Sequence, residues 1–382
     1  MITRQRIVSF GIPTVATATI LTAALLHAGK TPRLVPTSPL EPVSVIPSHV
    51  VGDKHQIDVV FAVDTTGSMG GLLDGAKRTV WSIASHIKKT DPNADIRIGL
   101  VAYRDVGDEY VTRPFSLTND LDAVYGELSG YQAAGGGDTP EDVDAALDDS
   151  LHKMQWRPSA RKLIFVVGDA APASRGEVPT YDVGAREAAT RGITINTIRC
   201  GWDTDTQTAF QRIAQIGGGE FSTIQQDGGV QQVATPFDAE LATLSSEVDG
   251  TAVIVGDEGV RGAYHAKMEA AKAAPAAAKA DRAGYYAKGG MGRSKEDLVG
   301  GVATGTMTID EVDQTTLPAD MQGMDKAQVK QEVEKRVAQR KQLQTKIETL
   351  TKQREEFLSK QAKDGEGGFD AKVKETVEKQ IK

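Results

Sequence analysis

Ile57-Asp-Val-Val-Phe-Ala-Val63 is a nearly unbroken apolar run that passes directly into Asp64-Thr-Thr-Gly-Ser-Met69 and then into helical periodicity from Leu72 to Lys89. A run of this length, rich in β-branched residues and bounded by a Gly/Ser turn, reads as a strand buried on both faces. Strand, tight polar loop and helix in that order form the opening of a parallel α/β sheet. The pattern repeats along the chain. Further strands are expected at Ile96 to Tyr103, Leu163 to Val167, Ile193 to Arg199 and Gly219 to Ile224. Helices are expected near Leu121 to Gly130, Pro140 to Lys153, Val183 to Arg191, Thr206 to Ile216 and Val230 to Val248. Tyr110 to Leu117 alternates in polarity and follows the second strand closely, which suits an antiparallel edge. The expected architecture is α/β: a doubly wound, mostly parallel sheet with helices on both faces.

In such sheets ligands bind beyond the carboxyl ends of the strands. The loop after the first strand lies there. Asp64, Thr66 and Ser68 alternate along it, offering one carboxylate and two hydroxyls, and Gly67 lets the chain bend between them. Oxygen donors of this kind suit hard cations such as Mg²⁺ or Mn²⁺. Two more loops carry related residues. Gly135-Gly-Gly-Asp-Thr-Pro-Glu141 opens a helix in whose first turn Pro140 fits, with Thr139 at the N-cap position. Val166-Val-Gly-Asp-Ala-Ala171 ends a central apolar strand on the carboxylate of Asp169. Asp138, Glu141 and Asp142 read as a solvated acidic first turn favourable to the helix dipole. Arg104 and Asp105 read as a surface pair at a strand end.

In these three loops the chain resembles the von Willebrand factor A superfamily, in its bacterial or extracellular branch. The metal-ion-dependent adhesion site of that family combines an Asp-x-Ser/Thr-x-Ser loop with a distant threonine and a distant aspartate. The resemblance implies a metal site of Asp64, Thr66, Ser68, Thr139 and Asp169, holding Mg²⁺, Mn²⁺ or Ca²⁺. It further implies a binding module that grips an acidic residue of a protein partner through the metal. The resemblance covers about half the chain, residues 53–250.

The other segments have different compositions. Arg4 and Arg6 precede about 22 residues without a formal charge, Ile7 to Ala28. Residues 1–30 therefore read as a signal peptide or a membrane anchor that places the rest of the chain outside the cytoplasm. A bacterial periplasm or cell envelope is the expected setting. Prolines 32, 36, 39, 42 and 47 make residues 31–52 an extended linker. Residues 251–324 read as an Ala/Gly-rich linker, in which Ala263 to Ala283 offers no apolar face. Residues 325–382 are expected to be helical. There Val329, Val333, Val337, Leu343, Ile347, Leu350, Phe357 and Leu358 form an apolar stripe that Arg340 and Arg354 interrupt. The stripe is either a seam for self-association through a coiled coil or a face docked on the head.

Composition removes several functions. With 44 basic against 52 acidic residues, no global positive field draws nucleic acid. The single cysteine, Cys200, forms no intrachain disulfide, lacks zinc-type neighbours and reads as a small buried hydrophobe. All 6 histidines fall outside the three loops, so no positioned histidine base is visible for a hydrolase, and neither a nucleophile elbow nor a phosphate loop is present. Two readings stay beside the binding module: a structural envelope protein assembling through its C-terminal helices, and a metal-assisted hydrolase.

Overall fold

A computed structural model of the chain describes residues 55–137, 140–230, 233–289, 294–361 and 367–381. The proposed signal or anchor, the proline-rich linker and Thr139 lie outside the described residues. Among the described residues, no helix is long and apolar enough to cross a membrane.

Six strands form the sheet: β1 (Gln56–Asp64), β2 (Asp95–Tyr103), β3 (Thr112–Thr118), β4 (Arg161–Gly168), β5 (Ile193–Cys200) and β6 (Gly218–Ile224). Their order is β3-β2-β1-β4-β5-β6. All neighbours run parallel except β2 and β3, so the alternating segment after the second strand is indeed an antiparallel edge. β1 lies at the centre. The chain winds outward from it first through β2 and then, in the opposite direction, through β4, which makes the gap between β1 and β4 the switch point where such folds bind ligands.

Residues of β1 alternate between two cores. Val59, Phe61 and Val63 face one, with the helices α1 (Gly70–Thr90) and α2 (Leu121–Gly130). Val60 and Ala62 face the other, with α3 (Val143–His152), α4 (Tyr181–Thr190) and α5 (Thr204–Ile216). That two-sided burial explains the continuous apolar runs. The helix expected from Pro140 starts later: Asp142 is its N-cap, its side chain accepting from the Ala145 N–H at 2.9 Å, while Pro140 and Glu141 precede it. The sixth helix, α6 (Asp238–Gly250), likewise starts after the expected Val230.

The C-terminal third differs most from expectation. Where a linker was expected stand α7 (Glu258–Ala273), α8 (Ala276–Gly289) and α9 (Leu298–Thr304). Ala271, Ala274, Ala278, Tyr285 and Tyr286 join the first core. Alanines form a packing face there because their small side chains let α8 approach α1 and α6 closely. The long α10 (Lys326–Gln361) lays its stripe on this chain: Leu343 and Ile347 pack with α6 and α8, and Val329 and Val333 with α9. The stripe is docked within this chain, partly on α6 of the head and partly on α8 and α9 outside it. The arginines that interrupt it are anchors. Arg340 pairs with Asp297 and donates to Thr251 Oγ1 at 2.7 Å, and Arg354 bridges Asp238 and Asp281, each at 2.7 Å.

Last comes α11 (Phe369–Ile381), which returns to the sheet. Phe369, Val373 and Val377 are fully or nearly fully buried in the first core, and the Phe369 ring lies 6.0 Å from Phe61 of β1. Packed against α1 and β6, it covers a part of the sheet that α6 leaves open, since α6 turns away to α8 and α10. The described residues from β1 to α11 accordingly form one compact unit.

Candidate metal centre

β1 delivers Asp64 to the switch point, where Val63 stands opposite Val167 and Asp169 follows the end of β4. A 3-10 turn, Gly67–Met69, then leads into α1. The first loop folds on itself. Both the N–H and the Oγ1 of Thr66 donate to Asp64 Oδ1, at 2.8 and 2.7 Å, and Thr66 Oγ1 lies 3.4 Å from Ser68 Oγ. Asp64 is completely buried, and its Oδ2 has no hydrogen-bond partner. Burial, and to a lesser degree the negative charge of Asp169, push its carboxyl up to about 7, against the opposing hydrogen bonds from Thr66. An orphaned carboxylate oxygen facing a second carboxylate is what a cation would satisfy.

The loops are locked to one another. The Thr65 N–H donates to Tyr103 O at 3.0 Å, and Ala134 N–H to Thr65 O at 3.1 Å. Residues 138–139 are bracketed by held backbone: Gly67 N–H donates to Gly135 O at 3.3 Å on one side, and Glu141 N–H to Ala171 O at 3.0 Å on the other. Gly168 allows β4 to approach β1 closely, because a Cβ there would collide with Tyr103 Oη and come within 3.3 Å of Asp64 Cβ. Cys200 is buried as expected, and burial together with Asp169 and Asp64 pushes its thiol well above the usual range.

Four of the five expected metal residues are described. Asp64, Thr66 and Ser68 lie together on one loop, and Asp169 faces them across the switch point. Thr139, the fifth, lies outside the described residues, as does Asp138. Two expectations are corrected. Glu141 and Asp142 are buried, 3% exposed each, rather than a solvated first turn. Arg104 and Asp105 are buried as well and do not pair with each other. Arg104 donates to Thr65 O at 3.2 Å and Gln132 O at 2.8 Å with its guanidinium over the Tyr110 ring, while Asp105 binds Arg175. They tie strand-end loops together, and these hydrogen bonds and the Arg175 ion pair offset the cost of burying the charged side chains.

Gln226 is a residue that sequence reasoning missed. Its Nε2 donates to Asp169 Oδ2 at 2.5 Å and to Ser68 O at 3.4 Å, bridging two of the site loops from the turn after β6. Among the described residues no cluster of three or more His, Cys, Asp or Glu side chains is placed to hold a metal. An ion at this site would therefore depend on hydroxyl donors beside its two carboxylates.

The family model of the von Willebrand factor type A domain matches residues 58–236. The chain contains a von Willebrand factor A domain. The alpha-protein kinase vwkA of Dictyostelium discoideum is 29% identical over 116 residues, covering 30% of this chain and 18% of that protein. Human von Willebrand factor A domain-containing protein 7 is 33% identical over 112 residues, 29% of this chain and 12% of that protein. The matches thus span less than a fifth of either relative. Among solved structures, mussel byssus proximal thread matrix protein 1, whose metal-ion-dependent adhesion site holds zinc, is 16% identical with a TM-score of 0.37. The likeness covers 47% of this chain and 44% of that one. A von Willebrand factor A domain points to a protein-interaction or adhesion module rather than to an enzyme.

Proposed function

We propose that this chain is a divalent-cation-dependent protein-binding module whose metal is held by Asp64, Thr66, Ser68, Thr139 and Asp169. One observation carries the reading: Asp64 Oδ2 is buried without a partner, beside two hydroxyls and across from Asp169. Two carboxylates and hydroxyl donors suit a small octahedral ion, Mg²⁺ or Mn²⁺, better than the larger, carboxylate-rich shell that Ca²⁺ takes. When bound, the ion supplies a positive centre toward which an acidic side chain of a partner is drawn. The protein's own contribution is preorganisation: Thr66 fixes the Asp64 carboxylate, Gln226 orients Asp169, and Arg104 holds the first two loops in register.

Display outside the cytoplasmic membrane is part of the proposal and rests on Arg4, Arg6 and the charge-free run Ile7 to Ala28. The structural-assembly reading is weakened by the docking of the α10 stripe on α6, α8 and α9, which uses up the apolar surface that a homotypic seam needs. Among the described residues, no arrangement of side chains at the site favours the hydrolase.

Calorimetric titration of Mg²⁺ and Mn²⁺ into the full chain, with Asp64→Ala and Asp169→Ala variants, tests the proposal. Saturable binding by the parent that both variants lose is expected. A folded parent that binds neither ion would overturn it.

A further inference from the structure

Trp202 is the most exposed large apolar side chain described, 78% exposed, whereas Trp81 is fully buried and Trp156 donates its ring N–H to Ser150 O at 2.9 Å. An exposed indole offers a partner both an apolar face and a ring N–H, which is why Trp is enriched at interfaces. Its place is the end of β5, immediately after Gly201. Gly201 donates its N–H to Ile224 O at 3.0 Å and lies directly under Gln226, whose Oε1 a Cβ at that position would strike. Gln226 in turn reaches Asp169 and Ser68. Trp202 is therefore next to the residue on which the bridge to the metal centre rests.

The charges around it are mostly negative. Asp203 and Asp205 are exposed on the following turn, and Asp227 is exposed on the neighbouring one. Asp203 uses Oδ1 to cap α5 and is held below the usual carboxylate range first by Thr206, so it stays ionised. The nearby cation, Arg199, is 4% exposed, with Nη1 donating to Asp203 O at 2.8 Å and to Gln207 Oε1 at 2.9 Å. An apolar partner group on Trp202 would strip water from these carboxylates. A guanidinium or ammonium group would instead lie over the indole face with the acids around it.

We propose that Trp202, with Asp203 and Asp205, is a second anchor of the partner site and takes an arginine or lysine of the same protein segment whose acidic residue is held at Asp64 and Asp169. This rests on the metal-site reading above and adds a partner chemistry to it. The spacing follows from the sheet. β5 lies one strand from β4 and two from β1, and strands lie about 4.8 Å apart, so the strand ends carrying the two anchors are up to about 10 Å apart. An extended peptide advances about 3.3 Å per residue, which places the cation about three residues from the acid.

The test uses full chain in Mg²⁺ and two capped, fluorescently labelled peptides, Asp-Gly-Gly-Arg and Asp-Gly-Gly-norleucine, read by anisotropy. The arginine peptide is expected to bind about two- to fivefold more tightly, and Trp202→Ala to erase that difference while leaving Mg²⁺ affinity and the circular dichroism spectrum unchanged. Equal binding of the two peptides, binding of neither to Mg²⁺-loaded protein, or a preference that survives Trp202→Ala would overturn the second anchor alone. Failure to bind Mg²⁺, measured beforehand by calorimetry, would instead overturn the metal-site reading beneath it.

Discussion

Arg282 of α8 forms two hydrogen bonds with Asp122 of α2, from Nε at 2.8 Å and from Nη2 at 2.6 Å, with both side chains almost entirely out of solvent. The same guanidinium reaches Asp249 at 2.7 Å and Ser245 at 3.0 Å. One residue of the C-terminal region thus neutralises two buried acids, one at the end of α6 and one in the heart of the von Willebrand factor A domain. Replacing Arg282 with alanine removes the cation shared by both acids from an almost fully buried position, and is expected to destabilise the chain by about 3–5 kcal/mol. Urea unfolding measures this. Arg282→Met combined with Asp122→Asn and Asp249→Asn should recover most of the loss, because no uncompensated charge remains. A triple variant as unstable as the single one would locate the effect in packing instead.

The returning helix α11 yields a second prediction. Phe369, Val373 and Val377 each bury a side chain whose removal from water contributes roughly 1.5–3 kcal/mol. Phe369→Ala should therefore lower stability by about 3–5 kcal/mol, and a fragment ending at Gly250 should unfold at a markedly lower temperature than the full chain. A fragment ending at Gly250 with the full chain's melting temperature would show that the sheet does not need α11.

The parts of this architecture that the sequence reveals are those whose signals are local. Each strand is an apolar run a few residues long, and Asp64, Thr66, Ser68 and Asp169 stand directly at strand ends, so pattern and site can be read together. The parts that stay hidden depend on partners far away in the chain. Nothing near Ala278 shows that α1 lies against it, and nothing near Phe369 points to Phe61. Arg282, Arg340 and Arg354 look like solvent-facing charges because a buried ion pair is visible only once both halves are in place. Gln226 sits in a polar turn, Gln225-Gln226-Asp227, where a bridging amide is indistinguishable from an ordinary loop residue.

A pH dependence follows from Asp144. Its carboxylate accepts from the Tyr181 N–H at 2.7 Å and from Ser174 Oγ at 3.4 Å, yet burial outweighs these bonds and raises it from 3.8 to about 6, with Asp142 and Asp182 adding to the rise. In the unfolded chain it titrates near its ordinary value, so between about pH 6 and pH 4 the folded state holds a proton that the unfolded state lacks. The contribution of this group to stability therefore improves as pH falls through that window and is least favourable above pH 6. Asp144→Asn removes the titration. Its stability relative to the parent should be highest at pH 7.5 and decline steadily toward pH 4.5, in urea unfolding series at each pH. A difference that does not change with pH would refute this account.

Asp64 sets stability against binding. Its Oδ1 is satisfied by Thr66, but Oδ2 is buried without a donor and faces the charge of Asp169, an arrangement that destabilises the metal-free protein. Asparagine at this position keeps the acceptor for Thr66 and replaces the orphaned oxygen with an amide that can donate toward Asp169. Asp64→Asn is therefore expected to stabilise the metal-free chain by about 1–3 kcal/mol at neutral pH, while abolishing the rise in melting temperature expected of the parent in Mg²⁺ under the proposed function. Differential scanning calorimetry with and without Mg²⁺ reads both effects in one experiment. If the variant is less stable than the metal-free parent, the Asp64 carboxylate has a structural partner and the site is not strained toward a cation. If it is more stable and unresponsive to Mg²⁺, the buried acid is retained at the expense of the fold because the ion requires it.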